Sequence, residues 1–245
     1  MLDVIAGIAF GAMFAADVTI LVSFAAVSVT SKFAASASAA AWVAAIVAVA
    51  AMGGFRPGLL GPIPTPVLAF TALVFGSLVA WLSWPAFRDA LLSVPLAALI
   101  GINGFRIGGV FFLLLFADGR LSAPFAPSAG WGDIITGIAA IPIAAIAASR
   151  RNVSRRILTA WNAFGALDLV VAVTLAFLSA PGTPFRVFTE GPGTVVMTTL
   201  PWILVATFLV PLYLLTHLTI AARLRLSRHA NVAPPEAAPA MWRTA

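Results

Sequence analysis

The sequence predicts an all-α integral membrane protein, a bundle of seven transmembrane helices. Three observations predict it. Of 245 residues, 62% are hydrophobic and 9% charged, where a soluble domain carries about 25% charged residues. Mean hydropathy is +1.07. The apolar residues also run in continuous blocks of about 20, enough to cross roughly 30 Å of hydrocarbon at 1.5 Å per residue. Barrel strands would alternate instead, over about ten residues.

The blocks are Val4–Val29, Phe33–Gly53, Val67–Trp84, Ala90–Ala117, Trp131–Ser149, Ile157–Ala180 and Thr198–Ala222. The first has no basic lead-in and carries Asp3, so it reads as a retained helix rather than a cleaved signal. The second is rich in Ala and Ser, which suits a tightly packed inner helix. Pro95, Pro142, Pro201 and Pro211 are expected kink points. The connections Phe55–Pro66, Asp118–Asp133 and Pro181–Gly193 are rich in Pro and Gly and read as loops, with a lid over an outward-facing cavity as their further use. Residues 1–225 form the helical domain, and 226–245 read as a short disordered cytoplasmic tail.

Orientation follows from the basic residues. With the N-terminus outside and the C-terminus cytoplasmic, Lys32, Arg88, Arg150, Arg151, Arg155, Arg156, Arg223, Arg225, Arg228 and Arg243 fall inside. Only Arg56, Arg120 and Arg186 fall outside, ten against three, and Arg106 lies within a span. The expected location is a bacterial cytoplasmic (inner) membrane. Topology and lipid headgroups therefore explain the net charge of +6 better than nucleic acid does.

The chain has no cysteine, which removes disulfides, thiolate metal sites and a cysteine nucleophile. It has no HExxH or GxSxG motif and no GxGxxG or Walker loop, so neither catalysis nor nucleotide binding is indicated. Two histidines, with His229 in the tail, cannot make a three-histidine metal site or a bis-histidine haem. Seven spans with an outer N-terminus invite comparison with retinal proteins. Those need a lysine in the last span, and the one lysine here is Lys32. No cofactor is expected.

What carries chemistry is a polar layer inside the apolar blocks. Counted along the helix rise, Arg106 lies roughly 16 Å from the outer end of its block, Asp168 roughly 18 Å and Asp17 roughly 20 Å. Arginine and carboxylate pair in a planar fork, so Arg106 is expected to pair with Asp168, with Asp17 as the alternative. Asn103 lies one turn before Arg106. Gly104 and Gly108 in GINGFRIGG have the small-xxx-small spacing that lets a second helix approach. In WNAFGALD, Trp161, Gly165 and Asp168 share one face, and Asn162 is offset from it. Asp133, near the start of the fifth block, suits the positive end of a helix dipole, with a contact to Arg120 as the alternative. His217 is the one histidine within a block, one turn after Tyr213; it reads as a hydrogen-bonded packing or interfacial residue, with a place for both in the ligand site as the alternative. Trp84, Trp131 and Trp202 fit an interfacial aromatic belt.

An ionisable group at membrane depth is costly and points to function by default, although a buried pair can serve only to fix helix register. The expected function is a midplane polar pocket, open to the outside, that binds or transports a small polar or anionic solute with proton coupling. Arg106, Asp168, Asp17, Asn103 and Asn162 would line it. The alternatives are an accessory or scaffold subunit docking another membrane protein, and a sensor of a hydrophobic ligand. The lipid bilayer is the partner common to all three.

Overall fold

The computed structural model describes residues 1–149 and 154–230. Arg150, Arg151, Arg243 and most of the expected tail lie outside them. Among the described residues the fold is helical throughout. Seven helices are long and apolar enough to cross a membrane. They are α1 (Leu2–Phe24), α2 (Val29–Ala51), α3 (Thr65–Ser83), α5 (Leu96–Ala117), α6 (Phe125–Ala148), α7 (Arg155–Leu178) and α8 (Val205–Leu226). A short helix, α4 (Pro85–Ser93), precedes α5. The α-helical part of α8 continues to Ala230, beyond the expected end at Ala222.

Three helix starts depart from expectation for a local reason. The fourth block, expected from Ala90, is broken at Val94–Pro95. Proline lacks an amide N–H and pushes the preceding residue to extended geometry, and Val94 has φ −61°, ψ 129°. The fifth helix begins at Phe125, six residues before Trp131. Pro124 caps it and Pro127 lies in its first turn, where a missing N–H costs nothing. The seventh helix begins after Pro201. The residues ahead of it make a short 3₁₀ turn, Val195–Thr198, and the first turn of α8 is a π-helix, Val205–Leu209.

α5 and α8 form the centre. In their most apolar windows, 50% and 56% of residues are buried, against 6% for α2. The Ala- and Ser-rich second helix is therefore peripheral, with Ile46 its one buried residue. Small residues permit close packing without compelling it. Phe10, Phe111 and Trp202 meet edge to face at 5.5–6.2 Å between centroids. With Phe112, Phe125, Leu115 and Phe208 they fill the end of the bundle nearest the N-terminus. Trp202 is 0% exposed, so it is a core residue and not part of an interfacial belt. Trp84 and Trp131 are exposed.

Polar ties hold each end. At the N-terminal end, Asp3 Oδ1 accepts from Arg120 Nη2 at 2.9 Å and from Trp202 Nε1 at 2.7 Å. Ser122 Oγ accepts from the Gly193 amide at 2.9 Å. At the other end, Lys32 Nζ caps the Ser23 carbonyl at 2.9 Å and Ser93 Oγ accepts from the Ala26 amide at 2.8 Å. There too Arg223 Nη1 donates to the Val94 carbonyl, and Arg155 Nη2 to the Leu224 carbonyl at 2.6 Å.

Candidate functional site

Arg106 sits in a 3₁₀ segment, Asn103–Gly109, in the middle of α5. A mid-helix 3₁₀ stretch is tighter than an α-helix and often marks a functional or strained position. The glycines around it let α6 close in. A Cβ on Gly109 would lie 2.7 Å from the Gly130 carbonyl oxygen, and one on Gly137 would lie 2.7 Å from the Ile107 nitrogen. Both are closer than real Cβ contacts allow. Gly104, expected to make the close contact, has only an ordinary neighbour, Ile141 Cγ1 at 3.7 Å. Gly108 packs on the Met13 side chain.

The guanidinium is 2% exposed at the residue level. Its Nε donates to Asp133 Oδ1 at 2.7 Å, and Nη2 to Asp168 Oδ2 at 2.5 Å. Nη1 donates to the Gly165 carbonyl at 3.0 Å and meets His217 Nε2 at 3.0 Å. Four of its five N–H groups are thus engaged, by α6, α7 and α8. The partner expected first, Asp168, is there. The alternative, Asp17, does not reach it; Asp133 is a second carboxylate partner. Because α6 starts at Phe125, Asp133 lies in its third turn, too deep to act on the helix N-terminus. It neither caps the helix nor meets Arg120, which pairs with Asp3 at the bundle end.

Two more glycines make the layer possible. A Cβ on Gly132 would overlap the Asp168 carboxylate, and one on Gly165 would lie 2.6 Å from His217 Cε1. Each glycine gives its volume to a charged or polar group of the layer.

The hydrogen bonds fix the state of His217. Arginine has donors only, so Nε2 must accept and carries no proton. His217 Nδ1 meets Asn162 Oδ1 at 2.9 Å, and Asn162 Nδ2 donates to the His217 carbonyl at 3.1 Å. That second bond sets the amide orientation, so Oδ1 accepts from Nδ1–H. His217 is the neutral Nδ1–H tautomer. Expected as a packing residue, it is a direct ligand of Arg106, and Asn162 supports it from behind. Trp161 lies beside the imidazole, 5.4 Å between centroids, and donates to the Thr136 carbonyl at 3.1 Å.

Asn103 does not reach Arg106. Its Nδ2 donates to the Leu99 carbonyl at 3.0 Å and to Thr216 Oγ1 at 3.2 Å, while Oδ1 has no partner. Asp17 is 0% exposed, with neither carboxylate oxygen in a hydrogen bond. Its polar neighbour is the Tyr213 hydroxyl of α8. The two do not reach hydrogen-bonding geometry, and Tyr213 Oη is also unpartnered. Tyr213 lines a cavity of about 30 Å³ together with Met13, Arg106 and Asp133, room for a single water.

A larger cavity, about 440 Å³, lies between α7 and α8. Asn162 and His217 stand at its inner part and Arg155 and Arg225 at its basic end. Trp202, Ile203 and Val196 fold over the N-terminal end of the bundle and fill it. Among the described residues, no group of three or more metal-ligating side chains could hold a metal ion.

These features define a helical bundle with seven helices long and apolar enough to span a membrane, built around one buried guanidinium–carboxylate–imidazole layer. Within that class, the chain belongs to the family described as Domain of unknown function (DUF8737), whose model matches residues 63–225. The matched region contains Arg106, Asp133, Asn162, Asp168, Tyr213 and His217, and leaves out Asp17. No curated protein and no solved structure matches the chain.

Proposed function

We propose that the chain is an integral protein of a bacterial cytoplasmic membrane, N-terminus out and C-terminus in, whose buried layer binds protons in the service of a small polar solute. The seven apolar helices and the ten-to-three split of basic residues support the topology. So does the grouping of Lys32, Arg155 and Arg223 in contacts at the end opposite Asp3 and Arg120.

The observation that carries the proton reading is the charge balance. The buried interior holds three carboxylates, Asp17, Asp133 and Asp168, against one guanidinium and a neutral imidazole. Such a layer is neutral only when two of the three acids hold protons. An ionised carboxylate removed from water without a partner is very costly. Asp17, which makes no ion pair among the described residues, is the first acid to hold one. The Tyr213 hydroxyl and the one-water cavity lie between Asp17 and the Arg106–Asp133 pair, a spacing suited to proton exchange.

Arg106 itself is poorly placed to take an anionic solute. Four of its N–H groups are committed, and the cavity beside it admits one water. The test is reconstitution in vesicles with an internal pH dye and an imposed inside-negative potential, alone and with panels of amino acids, sugars and small acids. The expected result is proton entry above that of empty vesicles, lost in Asp17→Asn. Equal rates in all cases contradict the reading.

The completeness of the Arg106 bonding favours one second reading, an accessory subunit in which the layer only fixes helix register. A stoichiometric membrane-protein partner retained in mild detergent, with no proton entry, would support it.

A further inference from the structure

We propose that the cavity between α7 and α8 is a binding site for one anionic phospholipid. Its phosphate would sit on Arg155 and Arg225, and one acyl chain would lie along the groove. The walls are Thr159, Ala163 and Ala166 of α7 and Leu214, Leu218 and Ala221 of α8. The three alanines leave the trough that larger side chains would fill. At about 440 Å³ it falls within the size range of small-molecule sites, roughly 300–1,000 Å³. It is open along its side: Leu218 is 36% exposed, and Ala163 and Thr159 are exposed. Such a trough in a membrane-spanning bundle faces acyl chains.

Charge selects among lipids. Arg155 and Arg225 stand at the same end of the trough. Neither has an ion-pair partner among the described residues, whose salt bridges are all made by Arg88, Arg106 and Arg120. Arg155 spends one N–H on the Leu224 carbonyl across the mouth, which draws α7 and α8 together there and leaves most of its donors. Two guanidinium groups beside an apolar channel match a phosphate followed by a hydrocarbon chain, the pattern by which basic pockets between membrane helices hold anionic headgroups. The chain end of the lipid would then approach Asn162 and His217, and through them the Arg106 layer.

Native mass spectrometry of the full-length protein, released from detergent with equal phosphatidylglycerol and phosphatidylcholine, tests this. The expected result is a one-to-one phosphatidylglycerol adduct favoured on the order of thirtyfold, the preference two cations give at about 1 kcal/mol each. Arg155→Ala with Arg225→Ala should reduce that preference to parity, while Arg56→Ala with Arg186→Ala at the other end leaves it intact. Ala163→Phe, and independently Ala221→Phe, should abolish the adduct with both arginines still present. Equal retention of the two lipids overturns the proposal. Retention unchanged in both phenylalanine variants also overturns it, because the lipid is then held at the surface only. Retention of neither lipid overturns it as well, and assigns the groove to a protein segment instead.

Discussion

Arg106 Nη1 and His217 Nε2 lie 3.0 Å apart, and because arginine has nothing to accept with, the ring nitrogen facing it is bare. The proton is on Nδ1, where Asn162 Oδ1 receives it. One cation thus sets the tautomer of a histidine on another helix. ¹⁵N spectra of ring-labelled protein, in a His229→Gln background so that one histidine remains, should show the Nδ1–H tautomer unchanged between pH 5 and 8. A titrating ring would show that the contact does not persist in solution. His217→Phe should cost about 1–3 kcal/mol by leaving a buried donor and acceptor unmatched.

Removing the guanidinium should damage the fold more than any other single change in the layer. Arg106→Ala leaves the ionised member of the Asp133 and Asp168 pair buried without its cation, a loss of about 3–5 kcal/mol. Arg106→Lys should recover little, since an ammonium cannot reach Asp133, Asp168, Gly165 and His217 with one planar fork. Replacing the whole set at once, Arg106→Met with Asp133→Asn and Asp168→Asn, should regain much of the stability. Thermal unfolding in detergent ranks the four proteins. A triple variant as unstable as Arg106→Ala would contradict the charge argument.

Gly132 is predicted to be as critical as the acid it faces. The methyl of Gly132→Ala falls on the Asp168 carboxylate, so the Arg106–Asp168 bond must break or α6 and α7 must separate. Gly132→Ala with Asp168→Ala should be more stable than Gly132→Ala alone, because the second change empties the space the methyl needs. Gly104→Ala, with its nearest neighbour at 3.7 Å, should unfold within about 1 kcal/mol of the native protein, as mutations without a named strain do. The same unfolding series checks all three.

How much of this was legible in the sequence varies residue by residue. The Arg106–Asp168 pair follows from depth, because two apolar blocks expected to run in the same direction place both groups at one level. Asp133 was hidden by the two prolines at 124 and 127, which read as loop although the first helical turn accepts them. Begun at Phe125, the helix carries Asp133 eight residues inward, roughly 12 Å, to the level of Arg106. Asp17 shows the complementary limit. Its depth was readable, but depth does not say which way a side chain points around its helix, and α1 turns it to Tyr213 instead of Arg106. Gly165 is legible beside Asp168 in WNAFGALD, whereas Gly132 faces Asp168 from another helix, which no local pattern in SAGWGD reveals. Trp202 looked like a belt residue because nothing in the sequence reveals that Asp3 would receive its indole N–H.

Asp17 and Tyr213 should tolerate loss of their ionisable character. Asn has nearly the shape of a protonated Asp, so Asp17→Asn is expected to leave stability within about 0.5 kcal/mol of native, the range of changes with no structural mechanism. Tyr213→Phe removes a hydroxyl that has no partner and should be neutral or slightly stabilising. A large loss in Asp17→Asn, read from the same melts, would mean that its carboxylate has an ionic role.

The central claim, a proton held on a buried and unpartnered Asp17, is open to direct observation by infrared difference spectroscopy between acidic and alkaline buffer. The account predicts protonated-carboxyl C=O absorption in the native protein that is unchanged in a conservative control such as Gly104→Ala and loses one component in Asp17→Asn. Identical spectra for the native protein and Asp17→Asn would contradict it.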